Sequence, residues 1–257
     1  MPELPEMQAL AERLDEVLAT QVLDRCDLLG FSSLKTFSPP VGELYGTELR
    51  SVGRRGKYLV MTFESNRRIL IHLSQGGRID VEAPPKATRP RGALARLFFG
   101  DLALLVREHG NQRKAGWWVL EVGDDGPLGT LGPEPTDSGF EELLLADDSP
   151  RHIHTLLRDQ HFVAGIGRGY ADDTLNRARL SPFAPLRSLS EAERKTLVST
   201  ARQVLAEALE RERHRPGGLS DARLGERFAV HNRSGLPCPA CGAPLASVRF
   251  DSYEIVY

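Results

Sequence analysis

Apolar positions Met7, Leu10, Leu14, Val17 and Leu18 recur at spacings of three and four, the stripe of an amphipathic helix. Pro5 and Glu6 fall in its first turn, where proline's fixed φ and a carboxylate at the positive helix end are both favourable. From about residue 22 to residue 120 the pattern changes to short apolar runs separated by turns, at 59–63, 69–73, 95–99, 102–106 and 117–120. Short strands at this spacing predict an antiparallel sandwich or barrel. Residues 84–90 and 124–137 are rich in turn formers and read as loops. Helical spacing returns at His152, with Ile153, Leu156 and Leu157 on one face and a second short helix from Tyr170 to Ala178. Residues 190–213 read as one long helix opened by Ser190 and Glu193 as a capping box. Gly217-Gly218 suggests a hinge, and 246–257 reads as a β-hairpin turning at Asp251-Ser252.

Composition narrows the class. The 257 residues are 40% hydrophobic and 26% charged, an ordinary globular balance. No apolar run approaches the ~18 residues of a membrane span, and the acidic start lacks the basic and apolar regions of a signal peptide. With three cysteines a disulfide framework is excluded, so a reducing, cytoplasmic setting is expected. The formal charge of −2 conceals an asymmetry: residues 1–150 carry 17 basic and 23 acidic side chains, residues 151–257 carry 16 and 12. The C-terminal part is the better match for a polyanion.

Three motifs carry candidate chemistry, each with a plain structural alternative. An N-terminal amine at Pro2, with a pKa near ~7.7–8.0, is partly neutral and nucleophilic. Attack by a secondary amine on a sugar carbon gives an iminium electron sink, and Glu3 is placed to supply a proton. The alternative is an ordinary first helical turn. Gly165-Ile166-Gly167-Arg168 lies between two helices; its amides suit an anion at the next helix N-terminus, or simply make a tight turn. Cys238-Pro239-Ala240-Cys241 is half of a tetrahedral zinc site, or two plain thiols.

These motifs combine with others in one order. Pro2-Glu3-Leu4-Pro5-Glu6, Arg54-Arg55-Gly56-Lys57-Tyr58-Leu59, Ile71-His72-Leu73, Leu131-Gly132-Pro133-Glu134-Pro135, the helix–two-turn–helix stretch at 157–175, and Arg233-x-Gly235-x-Pro237-Cys238-x-x-Cys241-Gly242 span nearly the whole chain. The set resembles the formamidopyrimidine-DNA glycosylase / endonuclease VIII family. The resemblance implies an α+β chain of two domains. A leading helix and antiparallel β-sandwich occupy 1–123, and a linker follows at 124–150. A helix–two-turn–helix domain lies at 151–216, and an incomplete zinc-finger β-hairpin at 217–257. It implies a monomer that binds double-stranded DNA containing a damaged base or abasic site between its domains, with the damaged nucleotide flipped out of the stack. By the same resemblance, Pro2 attacks C1′, Glu3 donates a proton to the sugar, Lys57 contacts phosphate and assists β-elimination, and Glu6 belongs to the same constellation. His72, the turn containing Gly167, and the hairpin hold phosphates. Met1 must be removed to free the Pro2 amine.

Departures from the family's pattern matter too. Gln75 stands where methionine often fills the void left in the duplex. Arg113 and Lys114 fall near the position of an Arg-Phe wedge. Arg168 replaces the usual asparagine, and His154 stands where lysine is expected. At the hairpin tip, Tyr253 aligns with a phosphate-contacting arginine that assists δ-elimination, which leaves Arg249 as the nearest substitute. Zinc is the family's cofactor, yet Cys238 and Cys241 are only two of four ligands. The third would fall one position after Tyr257, so a truncated tail and no complete site in the residues given are expected. A non-catalytic relative that only binds damaged DNA, and an N-terminal-proline isomerase, are the competing classes.

Overall fold

The computed structural model describes residues 2–109, 114–215 and 227–257. Residues Arg113 and Gly217-Gly218, singled out from sequence, lie outside the described residues, as does Met1. The chain divides into two compact units, the first holding Pro2, Glu6–Gly129 and Arg215, the second Glu3–Pro5, Thr130–His214 and 227–257.

The helical stripe folds as predicted into α1 (Leu4–Leu18), which belongs to the first unit from Glu6 onward. Met7, Leu10, Ala11, Leu14 and Leu18 are buried on it, whereas Val17 stays 43% exposed, because the packed stripe runs from Leu14 to Leu18. Asp15 Oδ1 accepts the Val52 N–H at 2.6 Å and so ties the helix to the sheet. The strands are β1 (Arg25–Leu28), β2 (Leu49–Arg55), β3 (Tyr58–Phe63), β4 (Arg68–His72), β5 (Gly77–Glu82), β6 (Ala93–Phe99), β7 (Leu102–Glu108) and β8 (Gly116–Leu120). They form two four-stranded antiparallel sheets, ordered β1-β6-β7-β5 and β2-β3-β4-β8. Strand β3 alternates, with Leu59, Met61 and Phe63 buried, while β6 is buried along its whole length. One core takes Phe63, Ile71 and Trp117 from one sheet and Ile79, Leu97, Phe99 and Val106 from the other, as a sandwich requires.

The second unit is helical: α2 (Ser138–Ala146), α3 (Ile153–Arg158), α4 (Arg168–Ala178) and α5 (Glu191–Arg213), followed by the hairpin β9 (Ser247–Phe250) and β10 (Tyr253–Val256). The capping box at Ser190 and Glu193 forms with both hydrogen bonds. Helix α2 corrects the expectation of a linker at 124–150. Phe140 and Leu144 sit in the core with Leu156, Tyr170 and Leu197, an apolar spacing of four that the flanking acidic and turn residues hide in the sequence. The buried Arg194 guanidinium donates to Leu144 O (2.7 Å), Asp147 O (2.6 Å) and Leu186 O (3.0 Å), sewing the end of α2 to α5. No described helix is long and apolar enough to cross a membrane.

Candidate active site and nucleic-acid contacts

In the second unit the glycine turn before α4 is occupied by the chain's own carboxylate. Gly167 N–H donates to Glu3 Oε2 at 2.5 Å, Gly169 N–H to Oε1 at 3.0 Å, and Tyr170 N–H to Oε2 at 3.4 Å. The first-turn amides of a helix have no intrahelical acceptor and carry partial positive charge, so a carboxylate fits there. Glu3 is 4% exposed. Leu4 N–H donates to Gly165 O at 3.0 Å, which fixes the same segment by its backbone. Only glycine allows this approach: a Cβ on Gly167 would stand 2.4 Å from the Glu3 carboxyl carbon, and Gly165 has φ +93° with Leu4 side-chain atoms 2.8–2.9 Å from such a Cβ. The anion facing these amides is therefore Glu3, and the Gly167 N–H is not free for phosphate. The sequence pattern marked an anion cradle correctly and misidentified its occupant.

Gln160 holds the other side of the turn. Its Oε1 accepts the Gly165 N–H at 2.9 Å and its Nε2 donates to Ile166 O (2.7 Å) and Arg158 O (3.0 Å). This clamp joins the end of α3 to the start of α4. Arg168, the first residue of α4, donates to Ser252 O at 3.4 Å in the hairpin turn. The Arg158 guanidinium lies 4.4 Å above the Tyr253 ring. Arg249, expected as the hairpin's working cation, instead points into solvent from β9 and pairs with Glu254 at 3.3 Å.

A buried polar chain supports the same helices. His154, 1% exposed, bonds Asp172 at 2.9 Å through Nε2, and Asp172 bonds His231 Nδ1 at 2.6 Å. The next residue, Asp173, accepts the N–H groups of Ala229 (2.8 Å) and Val230 (2.9 Å). Burial pushes its carboxyl up, against the pull of those amides. The substitution of His154 for an expected lysine was legible; its partners across α4 and the 229–231 segment were not.

In the first unit, Gly56 with φ +56° makes the turn between β2 and β3 that carries Lys57. Lys57 and Glu6 are each 5% exposed. His72 pairs with Tyr58 across β3 and β4, their rings 4.7 Å apart, and Trp118 closes on Tyr58 at 5.7 Å. Burial, aided by the Lys57 charge, pushes His72 down to about 4. Near neutral pH it is an uncharged ring that can hydrogen-bond a phosphate but not neutralise one.

Two exposed residues, Gln75 and Lys114, were expected at the duplex. Gln75 follows Ser74, whose φ is +51°. His109 N–H donates to Gly76 O at 2.8 Å. The Glu108 carboxylate accepts the N–H groups of Lys114 (3.0 Å) and Ala115 (3.2 Å). Glu108 thereby fixes the backbone at Lys114 and Ala115, a role no motif announced.

Cys238 and Cys241 lie on one turn: Cys238 N–H donates to Ala243 O at 2.7 Å, and Ala240 N–H reaches Cys238 Sγ at 3.4 Å. Backbone N–H groups of Ala240 and Cys241 hold the Cys238 thiol below its usual range. Two thiols do not fill a tetrahedral zinc site, and among the described residues no group of three or more candidate ligands gathers. The residues present do not fit the metal by themselves.

Comparison with known proteins accords with this geometry. Residues 1–117 match the model of the formamidopyrimidine-DNA glycosylase N-terminal domain, and residues 131–216 that of the H2TH domain. Formamidopyrimidine-DNA glycosylase of Thermus thermophilus is 35% identical, the alignment covering 95% of this chain and 92% of that protein. The enzyme of Symbiobacterium thermophilum is 34% identical over 96% and 85%. Among solved structures, the Lactococcus lactis enzyme in complex with DNA containing N7-benzyl-Fapy-dG superimposes with a TM-score of 0.88 at 24% identity, over 100% of this chain and 97% of that one, which shows the shared fold. With both domain models matched in order and relatives similar along nearly its whole length, the chain belongs to the formamidopyrimidine-DNA glycosylase family and is a DNA glycosylase of base-excision repair.

Proposed function

We propose that this chain removes oxidised bases from double-stranded DNA and then cleaves the abasic strand, with Pro2 as nucleophile. The observation that carries the reading is the Glu3 carboxylate, fixed by three backbone amides immediately after Pro2. A group so held contributes orientation that a mobile first residue lacks.

Once Met1 is removed, the Pro2 nitrogen donates its lone pair to C1′ of the damaged nucleotide. The bond from C1′ to the base breaks, the base leaves with that electron pair and takes up a proton, and the Pro2 nitrogen gives up its own N–H proton, which restores its lone pair. Glu3 protonates O4′, the sugar ring opens, and the nitrogen's electrons complete an iminium ion. That cation acidifies the C2′ hydrogen; its loss expels the 3′ phosphate, and water then releases the amine. Lys57 steadies the departing phosphate, and buried Glu6 belongs to the same constellation. The protein acts as a monomer on duplex DNA inside the cell.

Borohydride trapping with an abasic duplex tests the mechanism. A covalent adduct from protein beginning at Pro2, lost in Pro2→Ala, is the expected result. Tight binding without any adduct would instead make the chain a non-catalytic reader of damaged DNA. A panel of lesion-containing duplexes then ranks oxidised purines against pyrimidines.

A further inference from the structure

Two arginines and one tyrosine converge on the turn of the C-terminal hairpin, and the steps proposed above use none of them. Arg158 ends α3, and its guanidinium lies 4.4 Å over the Tyr253 ring, at the first position of β10. Arg168 opens α4 and reaches Ser252 O at 3.4 Å. The Gln160 clamp described above fixes both helix ends, so the two cations are delivered by rigid backbone rather than by a loose loop.

The charge on this cluster is uncompensated. Among the described residues neither guanidinium has a carboxylate partner. The nearest acid in sequence, Asp159, is engaged by Arg151 at 2.7 Å. Glu254, beside Tyr253, pairs with Arg249 at 3.3 Å. Arg158 Nη1 is buried without any acceptor, an unspent donor of a kind folded proteins rarely leave. Stacking on an aromatic face holds a guanidinium plane in place and leaves its edge N–H groups to form a planar fork, the geometry that suits a phosphate.

We infer that Arg158 and Arg168, with Tyr253 as the shelf beneath Arg158, form a two-cation clamp for a backbone phosphodiester of the bound DNA. The inference rests on the DNA-repair reading and adds to it a binding residue, Arg158, contributed by a helix end rather than by the hairpin. In this arrangement Tyr253 positions the cation instead of carrying charge, and Arg249 is a solvent ion pair outside the clamp.

The test is equilibrium binding of the full chain to a duplex carrying a tetrahydrofuran abasic analogue, measured across a range of salt concentrations. Arg158→Met should weaken binding by about tenfold and lower the slope of log affinity against log salt by about one, as loss of one phosphate contact does. Arg168→Met should act similarly, Arg158→Lys should restore the slope but not the full affinity, and Arg249→Met should leave both unchanged. Tyr253→Ala, which keeps both charges, should lower affinity with little change of slope. Inorganic phosphate should compete only weakly, since the occupant is a phosphate of the duplex. Wild-type affinity and slope in Arg158→Met would overturn the clamp. If the unsubstituted chain fails to bind the duplex at all, the DNA-repair reading itself falls, and the clamp with it. A thermal melt of each variant separates lost contact from lost fold: an Arg158→Met protein that melts as wild type yet binds weakly supports the clamp. Should that variant unfold, Tyr253→Ala and Arg158→Lys carry the decision.

Discussion

Gly167 and Glu3 are bound at 2.5 Å through one amide and one carboxylate oxygen, 164 positions apart in the chain. A methyl group on Gly167 would occupy the space of the Glu3 carboxyl. Gly167→Ala is therefore expected to displace Glu3 while leaving the helical core intact. Single-turnover base excision should fall roughly 100-fold, as misplacement of a positioned group does. Affinity for a tetrahydrofuran duplex should change far less. Equal loss of binding and excision would contradict this.

His72 makes stability pH-dependent in a defined direction. Its ring titrates at 6.5 when exposed and at about 4 in the fold, so the unfolded chain binds more protons between those values. The neutral ring's contribution is complete above pH 6.5 and is lost as pH falls towards about 4. The shift corresponds to about 3 kcal/mol. Both tryptophans lie on β8 of the first unit, so urea titrations followed by tryptophan fluorescence report on this unit. His72→Gln should flatten the pH dependence in this window relative to wild type.

Glu108 holds the amides of Lys114 and Ala115. Glu108→Ala strands the buried Ala115 N–H and the Lys114 N–H, at roughly 1–3 kcal/mol for a buried group without a partner. Amide hydrogen exchange at Ala115 should speed up well before global unfolding. Glu108→Gln, which retains one acceptor oxygen, should fall between. Unchanged exchange in Glu108→Ala would remove the anchoring role.

Asp172 lies between His154 and His231, and its removal leaves both imidazoles without that acceptor. Asp172→Ala should destabilise the second unit by about 3 kcal/mol, and Asp172→Asn by less. Far-ultraviolet circular dichroism, dominated by the helices of that unit, is the appropriate readout. The tryptophan transition of the first unit should move little.

Much of the architecture was written in local pattern. The α1 stripe, the Ser190–Glu193 capping box and the Asp251-Ser252 turn each depend on residues within a few positions, and each formed as read. Helix α2 was missed because its apolar residues sit in an acidic, turn-rich stretch that masks their spacing. At the site, residue types were legible and partners were not. Glycines at 165 and 167 marked an anion position, but that Glu3 fills it depends on topology bringing the chain's first residues to α4. His72 was legible as a phosphate contact, but that burial against Tyr58 beside Lys57 keeps its ring uncharged was not. Arg158 gave no signal at all, since its meaning comes from Tyr253, on another element far along the chain.

The Gln160 clamp has a consequence for selectivity. With Glu3, Leu4 and Gln160 already saturating the turn before α4, that surface has its final shape before any ligand arrives. A preformed surface loses little conformational freedom on association. The work of recognition then falls on the nucleic acid, which must bend and unstack to meet a rigid template. Discrimination among lesions should accordingly track how readily each damaged pair deforms, so that mechanical weakness of the duplex is itself part of what the protein reads.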